Sequence, residues 1–314
     1  MKVLVTGGLG FIGSHLVEAL LKKNHKVTIL DNQISNVVAK EFFQDKCKVI
    51  LSSVQDFENN ERFDQIYHLA SIVGPAGILP YTGILGPSVI SDVSKVCEWA
   101  HKYEAKLLYT STSEVYGQAG CFSEEEPKIV SSKISSRSEY AVSKILAEIV
   151  MINRNKVSPF KFNIIRPFNI IGPRQSSKGG FVLPRFLESA YGEKSLSVFG
   201  SGSQIRAFTY IEDIVNALTM VMESDIEGEV FNIGNERNIT TIKNLADIVK
   251  EETHARSEII YVNPKEVYGA LYEEAYDKLP NSSKIKKMLG WEPKYDLREA
   301  VQKTWGYFLE HKVS

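Results

Sequence analysis

Tyr140 and Lys144 stand four residues apart in Tyr140-Ala-Val-Ser-Lys144, within a stretch whose pattern predicts a helix over 140–153. That spacing sets a phenol and an ammonium on one helix face. A phenol, with a pKa of about 10, is a poor base near neutrality, and a positive neighbour favours its ionised form and makes it a usable proton acceptor. An exposed tyrosine beside a solvated lysine would meet the same spacing, so the pair carries weight only in company. That company is Thr110-Ser111-Thr112-Ser113-Glu114-Val115-Tyr116-Gly117, which follows a predicted strand over 106–109. It brings the hydroxyls of Thr112 and Ser113 and the carboxylate of Glu114 to the carboxyl end of a strand, the edge where open α/β sheets bind ligands. Tyr140, Lys144, Thr112, Ser113 and Glu114 are the candidate catalytic residues.

A second constellation lies near the start of the chain. Gly7, Gly10 and Gly13 recur at every third position in Thr6-Gly7-Gly8-Leu9-Gly10-Phe11-Ile12-Gly13, between a predicted strand over 3–5 and a predicted helix over 14–22. Such a loop turns sharply, lets backbone approach a pyrophosphate and packs the helix closely on the sheet. Asp31 ends the second predicted strand, about 20 residues on, where a carboxylate accepts from the adenosine ribose hydroxyls and repels a 2′-phosphate. NAD is therefore the expected cofactor, in preference to NADP. Taken alone, Asp31 also reads as a solvated turn residue before Asn32. Asp56, after the third strand, reads either as a contact to the adenine edge or as a helix N-cap.

The elements that must hold these residues alternate. Strands are predicted over 3–5, 27–30, 49–51, 65–69, 106–109 and 162–165, with helices over 14–22, 89–102 and 140–153. Alternation of this kind implies right-handed crossovers and a Rossmann-type, doubly wound parallel sheet in an α/β protein. After Arg166 the pattern becomes loop-rich, punctuated by Pro167, Gly172, Pro173, Gly179, Gly180 and Pro184. Helices are predicted again over 211–223, 242–251 and 283–289, the last closed by Gly290. The expected organisation is a cofactor domain over 1–166, to which 207–235 returns. A smaller mixed α/β C-terminal lobe over 167–206 and 236–314 then forms the other wall of a cleft.

Composition narrows the function. Apolar residues make up 43% of 314 and charged residues 24%, which excludes a disordered or collagen-like chain. Thirty-seven basic and 38 acidic side chains leave a net charge of −1, so no basic excess invites nucleic acid. No apolar run reaches the roughly 18 residues of a membrane helix. Residues 2–6 already read as a buried strand, with no leader expected before them. Cys47, Cys97 and Cys121 lie far apart, without CxxC or zinc spacing. A cytoplasmic protein with neither disulfides nor metal is expected.

Taken together, residues 7–13, Asp31, His68-Leu69-Ala70-Ser71, the Thr112–Gly117 run, Tyr140 with Lys144, and Arg166-Pro167-Phe168-Asn169 with Gly172-Pro173-Arg174 resemble the extended short-chain dehydrogenase/reductase family, whose members modify nucleotide sugars. The likeness continues through Phe199-Gly200-Ser201-Gly202-Ser203-Gln204, Arg206, Asp213, Asn232-Ile233-Gly234-Asn235 and Leu289-Gly290-Trp291-Glu292-Pro293, nearly the whole chain. The resemblance implies that Tyr140 takes the proton of a sugar C4 hydroxyl while hydride passes from C4 to NAD. Lys144 holds the nicotinamide ribose and lowers the tyrosine pKa, and Thr112 bonds the C4 oxygen. Gly7, Gly10, Phe11, Ile12, Gly13, Asp31, Asn32, Asp56, Leu69 and Ala70 complete the cofactor site. Asn169 and Arg206 would hold the diphosphate or ribose of a nucleotide-diphosphate sugar, and Glu273 would accept from its ribose. Structural readings stand beside these: a turn residue for Asn169, an exposed strand charge for Arg206, a solvated helix residue for Glu273. A homodimer, paired through helices flanking the sheet, is the family expectation.

A ketone at C4 opens several outcomes. It acidifies the C5 proton for loss of water, it turns a C6 carboxylate into a β-keto acid that can lose CO₂, or it takes hydride back on its other face. Glu114 is the dividing residue. Thr112-Ser113-Glu114 followed by Val115-Tyr116-Gly117 is similar to UDP-glucuronate decarboxylases, as is the run from Gly200 to Phe208, and a Thr-x-Glu arrangement also occurs in 4,6-dehydratases. Two features depart from the decarboxylase: Ala-Val-Ser after Tyr140, and an apolar, glycine-rich segment over 72–86 with no cation for a glucuronate carboxylate. Decarboxylation leads, with 4-epimerase, 4,6-dehydratase and net C4 dehydrogenase as alternatives. A non-catalytic NAD-binding module would not need Tyr140 and Lys144, and a small-carbonyl reductase would not need Asn169 and Arg206.

Overall fold

The computed structural model describes residues 1–312 apart from 131, 133 and 276. The first half runs β1 (Lys2–Thr6), α1 (Phe11–Lys22), β2 (Lys26–Asp31), β3 (Lys48–Leu51), β4 (Gln65–His68), α2 (Leu85–Tyr103) and β5 (Lys106–Thr110). Then come β6 (Gly120–Phe122), α3 (Ser136–Val157), β7 (Phe162–Pro167), β8 (Ile170–Ile171), α4 (Val182–Tyr191), β9 (Leu196–Phe199) and β10 (Ile205–Ala207). Next are β11 (Thr209–Tyr210), α5 (Ile211–Glu223), β12 (Glu229–Ile233), β13 (Ile239–Thr241) and α6 (Ile242–Thr253). The remainder holds β14 (Ile259–Val262), α7 (Pro264–Tyr268), β15 (Lys278–Pro280), α8 (Ser283–Leu289) and α9 (Leu297–Lys312).

Seven strands form one parallel sheet in the order β12-β7-β5-β4-β1-β2-β3. Alternate side chains of each strand feed opposite faces, as the period of two requires. Val3 and Val5 of β1 join Leu16 and Leu20 of α1 and Ile214 and Leu218 of α5. Leu4, between them, joins Val93 and Val96 of α2 and Ala147 and Met151 of α3. The strand order reverses between β1 and β4, which opens a crevice at their carboxyl ends. The glycine loop, Leu69-Ala70 and the Thr112 turn all emerge there.

A second, mixed sheet in the order β13-β10-β15-β6, antiparallel at β10–β13 and parallel elsewhere, joins β6 of the first half to three C-terminal strands. Its strand β15 brings residue 278 back toward the crevice.

Helices α1 and α2 start earlier than read, at Phe11 and Leu85, and α7 and α9 were not read; two further departures have a visible cause. Helix α3 begins at Ser136, four residues before Tyr140, because Ser135 and Ser138 cap it reciprocally: the Ser138 amide donates to Ser135 Oγ at 3.3 Å and the Ser135 amide to Ser138 Oγ at 2.7 Å. A serine at the third helical position in place of Glu or Gln hides this signal. The loop-rich stretch after Arg166 contains α4, whose Pro184 lies in the first turn and interrupts no helical hydrogen bond.

Candidate active site

The glycine loop is shaped by close approach. Gly7 has φ +72°, and a Cβ there would lie 2.8 Å from the Ala70 amide nitrogen. At Gly13 a Cβ would lie 2.0 Å from the Gly7 carbonyl oxygen, so α1 packs directly on the loop. Gly10 caps α1 without a side-chain bond, and no acid stands in the first turn, so the amides at Phe11 and Ile12 face the crevice unopposed by negative charge. Leu69 donates its amide to the Thr6 carbonyl at 3.1 Å, and the Ala70 amide donates to Thr6 Oγ1 at 3.3 Å. Asp31 is buried at the end of β2, where its carboxylate accepts from the Leu9 amide at 3.0 Å and the Gln33 amide at 2.7 Å. Burial pushes its pKa up, against those two bonds. Asn32 is exposed and accepts from the Ile34 amide. Asp56 lies in a turn, not at a helix start, and is bonded to Ser53. A loop with no room for side chains, a bare helix start and an acid at the second strand's end fit a dinucleotide.

Tyr140, on α3, is buried with the Thr112 side chain beside its phenol. Burial raises its pKa strongly, and the Thr112 side chain and Arg137 lower it in part. Lys144 is buried, with Nζ 5.8 Å from the Tyr140 ring centroid and donating to the Thr110 carbonyl at 3.1 Å. Burial brings its pKa down to about 8, while Glu148 and Asp92 act to raise it. His68 packs at the end of β4, 2.7 Å from Thr6 Oγ1 and stacked on Tyr109, and burial pushes its pKa down to about 3.

Beyond β5 the chain makes a short turn over Ser113–Tyr116, capped by Thr112, whose Oγ1 accepts from the Glu114 amide at 3.2 Å. Ser113 is buried within it. A polar network beneath fixes the turn. Arg166 of β7 bonds Glu148 of α3 through two nitrogens, at 2.9 and 2.7 Å, and the Tyr116 hydroxyl at 3.0 Å. Glu148 also accepts from Ser111 at 2.5 Å.

Glu114 points between two cations. Arg137 of α3 lies 3.0 Å from one carboxylate oxygen and Lys278 of β15 lies 2.7 Å from the other. Burial alone would raise the Glu114 pKa, yet the two cations bring it down to about 2. Sequence reasoning missed both. Arg137 stands three residues before Tyr140 on the same helix, so its spacing was available as a signal. Lys278 has no local signal, because it reaches the site only through the register of β15 with β10 and β6.

The expected nucleotide residues are placed differently from one another. Asn169 is half-buried between β7 and β8, with its side-chain amide directed at the Ala207 carbonyl. Arg206 is buried, not exposed; it bonds Asp277 and Glu274 at 2.9 Å each and the Ala275 carbonyl. Glu273 lies in an irregular stretch, not a helix, and its carboxylate accepts from Ser135 Oγ. The acids that share the Arg206 guanidinium are its neighbour, Glu274, and Asp277.

A parallel sheet with a glycine loop at its switch point, and a Thr–Tyr–Lys set at the next strand end, define an NAD-dependent enzyme of the dehydrogenase/reductase fold. Residues 3–234 match the model of the NAD dependent epimerase/dehydratase family, and the chain belongs to that family. It is 32% identical over 326 residues to the UDP-N-acetyl-alpha-D-glucosaminuronate decarboxylase of Bacillus cytotoxicus, covering 98% of each chain. It is 34% identical over 308 residues to UDP-glucuronic acid decarboxylase 6 of Arabidopsis thaliana, covering 96% of this chain and 87% of the relative. A solved UDP-glucose 4-epimerase of Thermotoga maritima, with UDP-glucose, superposes with a TM-score of 0.85 at 28% identity over 100% of both chains. Among the described residues no helix is long and apolar enough to cross a membrane.

Proposed function

We propose that this enzyme oxidises C4 of a UDP-hexuronate and then releases its C6 carboxylate as CO₂. The observation that carries the reading is Glu114 clasped by Arg137 and Lys278 beside the Thr112–Tyr140 pair. Two cations, Lys278 buried and Arg137 partly so, stand against the Glu114 carboxylate at this point, which suits a substrate carboxylate as a second anion. They supply from outside residues 72–86 the cation which that segment lacks. The decarboxylase relatives support the same chemistry.

The cofactor, when bound, supplies a reversible hydride acceptor. The protein's own part begins with Tyr140, which accepts the C4 hydroxyl proton while Thr112 orients the same oxygen. With a carbonyl at C4, the C5–C6 bond breaks and its electron pair moves toward that carbonyl as CO₂ leaves. C5 then takes a proton, and Tyr140 gives its proton back to the C4 oxygen as the hydride taken from C4 returns there. Overall, a carboxylate and one solvent proton become a C–H bond and CO₂, with no net redox change. Dehydration would instead need a base at C5, and a carboxylate held near pKa 2 is badly matched to that task. A panel of UDP-glucuronate, UDP-N-acetylglucosaminuronate and neutral UDP-hexoses, read by product mass, tests the reading. Loss of CO₂ from a uronate supports it, and turnover confined to neutral hexoses contradicts it.

Arg206, Glu274 and Asn169 form the proposed nucleotide end. The homodimer we propose uses the outward face of α3, where Val142, Leu146, Ile149 and Ile152 are 37–47% exposed at helical spacing. A monomeric mass in solution would contradict it. Three free cysteines suit a cytoplasmic setting.

A further inference from the structure

Helix α2 starts without a cap of its own. Ile84, its N-cap, makes no side-chain bond, no acid lies in the first turn, and Pro87 has no amide hydrogen to offer. The missing acceptor comes from α3. Glu139 Oε2 accepts from the Gly83 amide at 2.7 Å and Oε1 from the Gly86 amide at 3.2 Å. Its negative charge also faces the positive end of a 19-residue helix. Beside it, Thr82 Oγ1 lies 2.9 Å from Ser136 Oγ.

These contacts fasten one end of the apolar segment 72–86. Its other end meets the C-terminal lobe, where the Ala76 amide donates to the Gly179 carbonyl at 3.0 Å and a Cβ on Gly74 would lie 2.5 Å from that oxygen. The segment follows Leu69-Ala70 at the crevice and is the wall expected beside the sugar. Glu139 and Tyr140 are consecutive, so the helix directs one side chain to the wall and the next to Thr112.

We infer that Glu139 is a positioning residue that fixes the sugar-facing wall in register with Tyr140. This rests on the proposed reaction for the identity of the sugar. Its hydrogen bonds beyond the segment run to α3 and to Gly179, so its loosening should be felt first by the sugar. Binding of NAD, UDP and UDP-glucuronate to Glu139→Ala and Glu139→Gln, with amide exchange over residues 79–86, tests it. The alanine variant is expected to bind UDP-glucuronate about tenfold more weakly and to hold NAD and UDP within about twofold. Glutamine keeps one acceptor and should fall between, and exchange over 79–86 should quicken in both variants. Unchanged exchange, unchanged UDP-glucuronate affinity, or equal losses for all three ligands would overturn the inference. A wild-type enzyme that binds UDP-glucuronate without releasing CO₂ would fail the proposed reaction only. If it does not bind that ligand at all, the exchange measurement still decides.

Discussion

The glycine loop and the Glu114 cluster both follow carboxyl ends of strands in the parallel sheet and are built in opposite ways. Around the loop, residues 6–13 supply nearly everything from one run of chain, and its chemistry is backbone amides, small residues and a single acid, Asp31. The cluster draws Glu114 from a turn after β5, Arg137 from the start of α3 and Lys278 from the C-terminal lobe. Its chemistry is concentrated, mostly buried charge. In the proposed reading the cofactor end is thus a matter of shape, and the sugar end a matter of electrostatics set by tertiary assembly. Each end can be perturbed without the other.

The largest separation is expected from Tyr140→Phe. It removes the proton acceptor and keeps the ring, so turnover should fall by about 10² or more while NAD affinity is retained. Near-normal turnover, measured under saturating substrate, would remove Tyr140 from the chemistry. Asp31→Ala should do the reverse. It should erase a preference for NAD over NADP of about a hundredfold and leave UDP binding unchanged, as competition titrations would show. A retained preference would mean that the second strand's acid does not read the ribose.

A smaller effect concerns stability and acid. Glu114 has a folded-state pKa near 2, below its ordinary 4.5, so its stabilisation is complete above that ordinary value and is lost as the pH falls through 2. The difference corresponds to about 3 kcal/mol. Glu114→Gln leaves Arg137 and Lys278 without their counter-charge and should be less stable near neutrality. The gap to the wild type should narrow as the pH drops from 4.5 toward 2. Denaturant titrations across that range would reveal it, and a constant gap would show that the cations do not hold Glu114 ionised.

The sequence made one end plain because its signals are local. Glycine spacing, the strand before it and Asp31 can be read from neighbours. Thr112, Glu114, Tyr140 and Lys144 were legible for the same reason, since each pair shares one turn or one helix. Lys278 was not, because a three-residue strand in a mixed sheet carries no periodicity, and its partner lies 164 positions away (278 against 114). The alternative reading of Arg206, as an exposed strand charge, stood only while its acids, Glu274 and Asp277, were unplaced. The start of α3 was hidden by a Ser–Ser capping box, and α4 by a proline that is harmless in a first turn.

The most direct test of the account is a single turnover of Glu114→Gln with UDP-glucuronate, following absorbance at the NADH band and the mass of the quenched sugar. If the Glu114 cluster governs bond breaking after C4 oxidation, NADH should form and persist alongside a 4-keto sugar that keeps its carboxylate. Normal release of CO₂ and normal recovery of NAD would contradict the assignment of Glu114 and its two cations to the reaction.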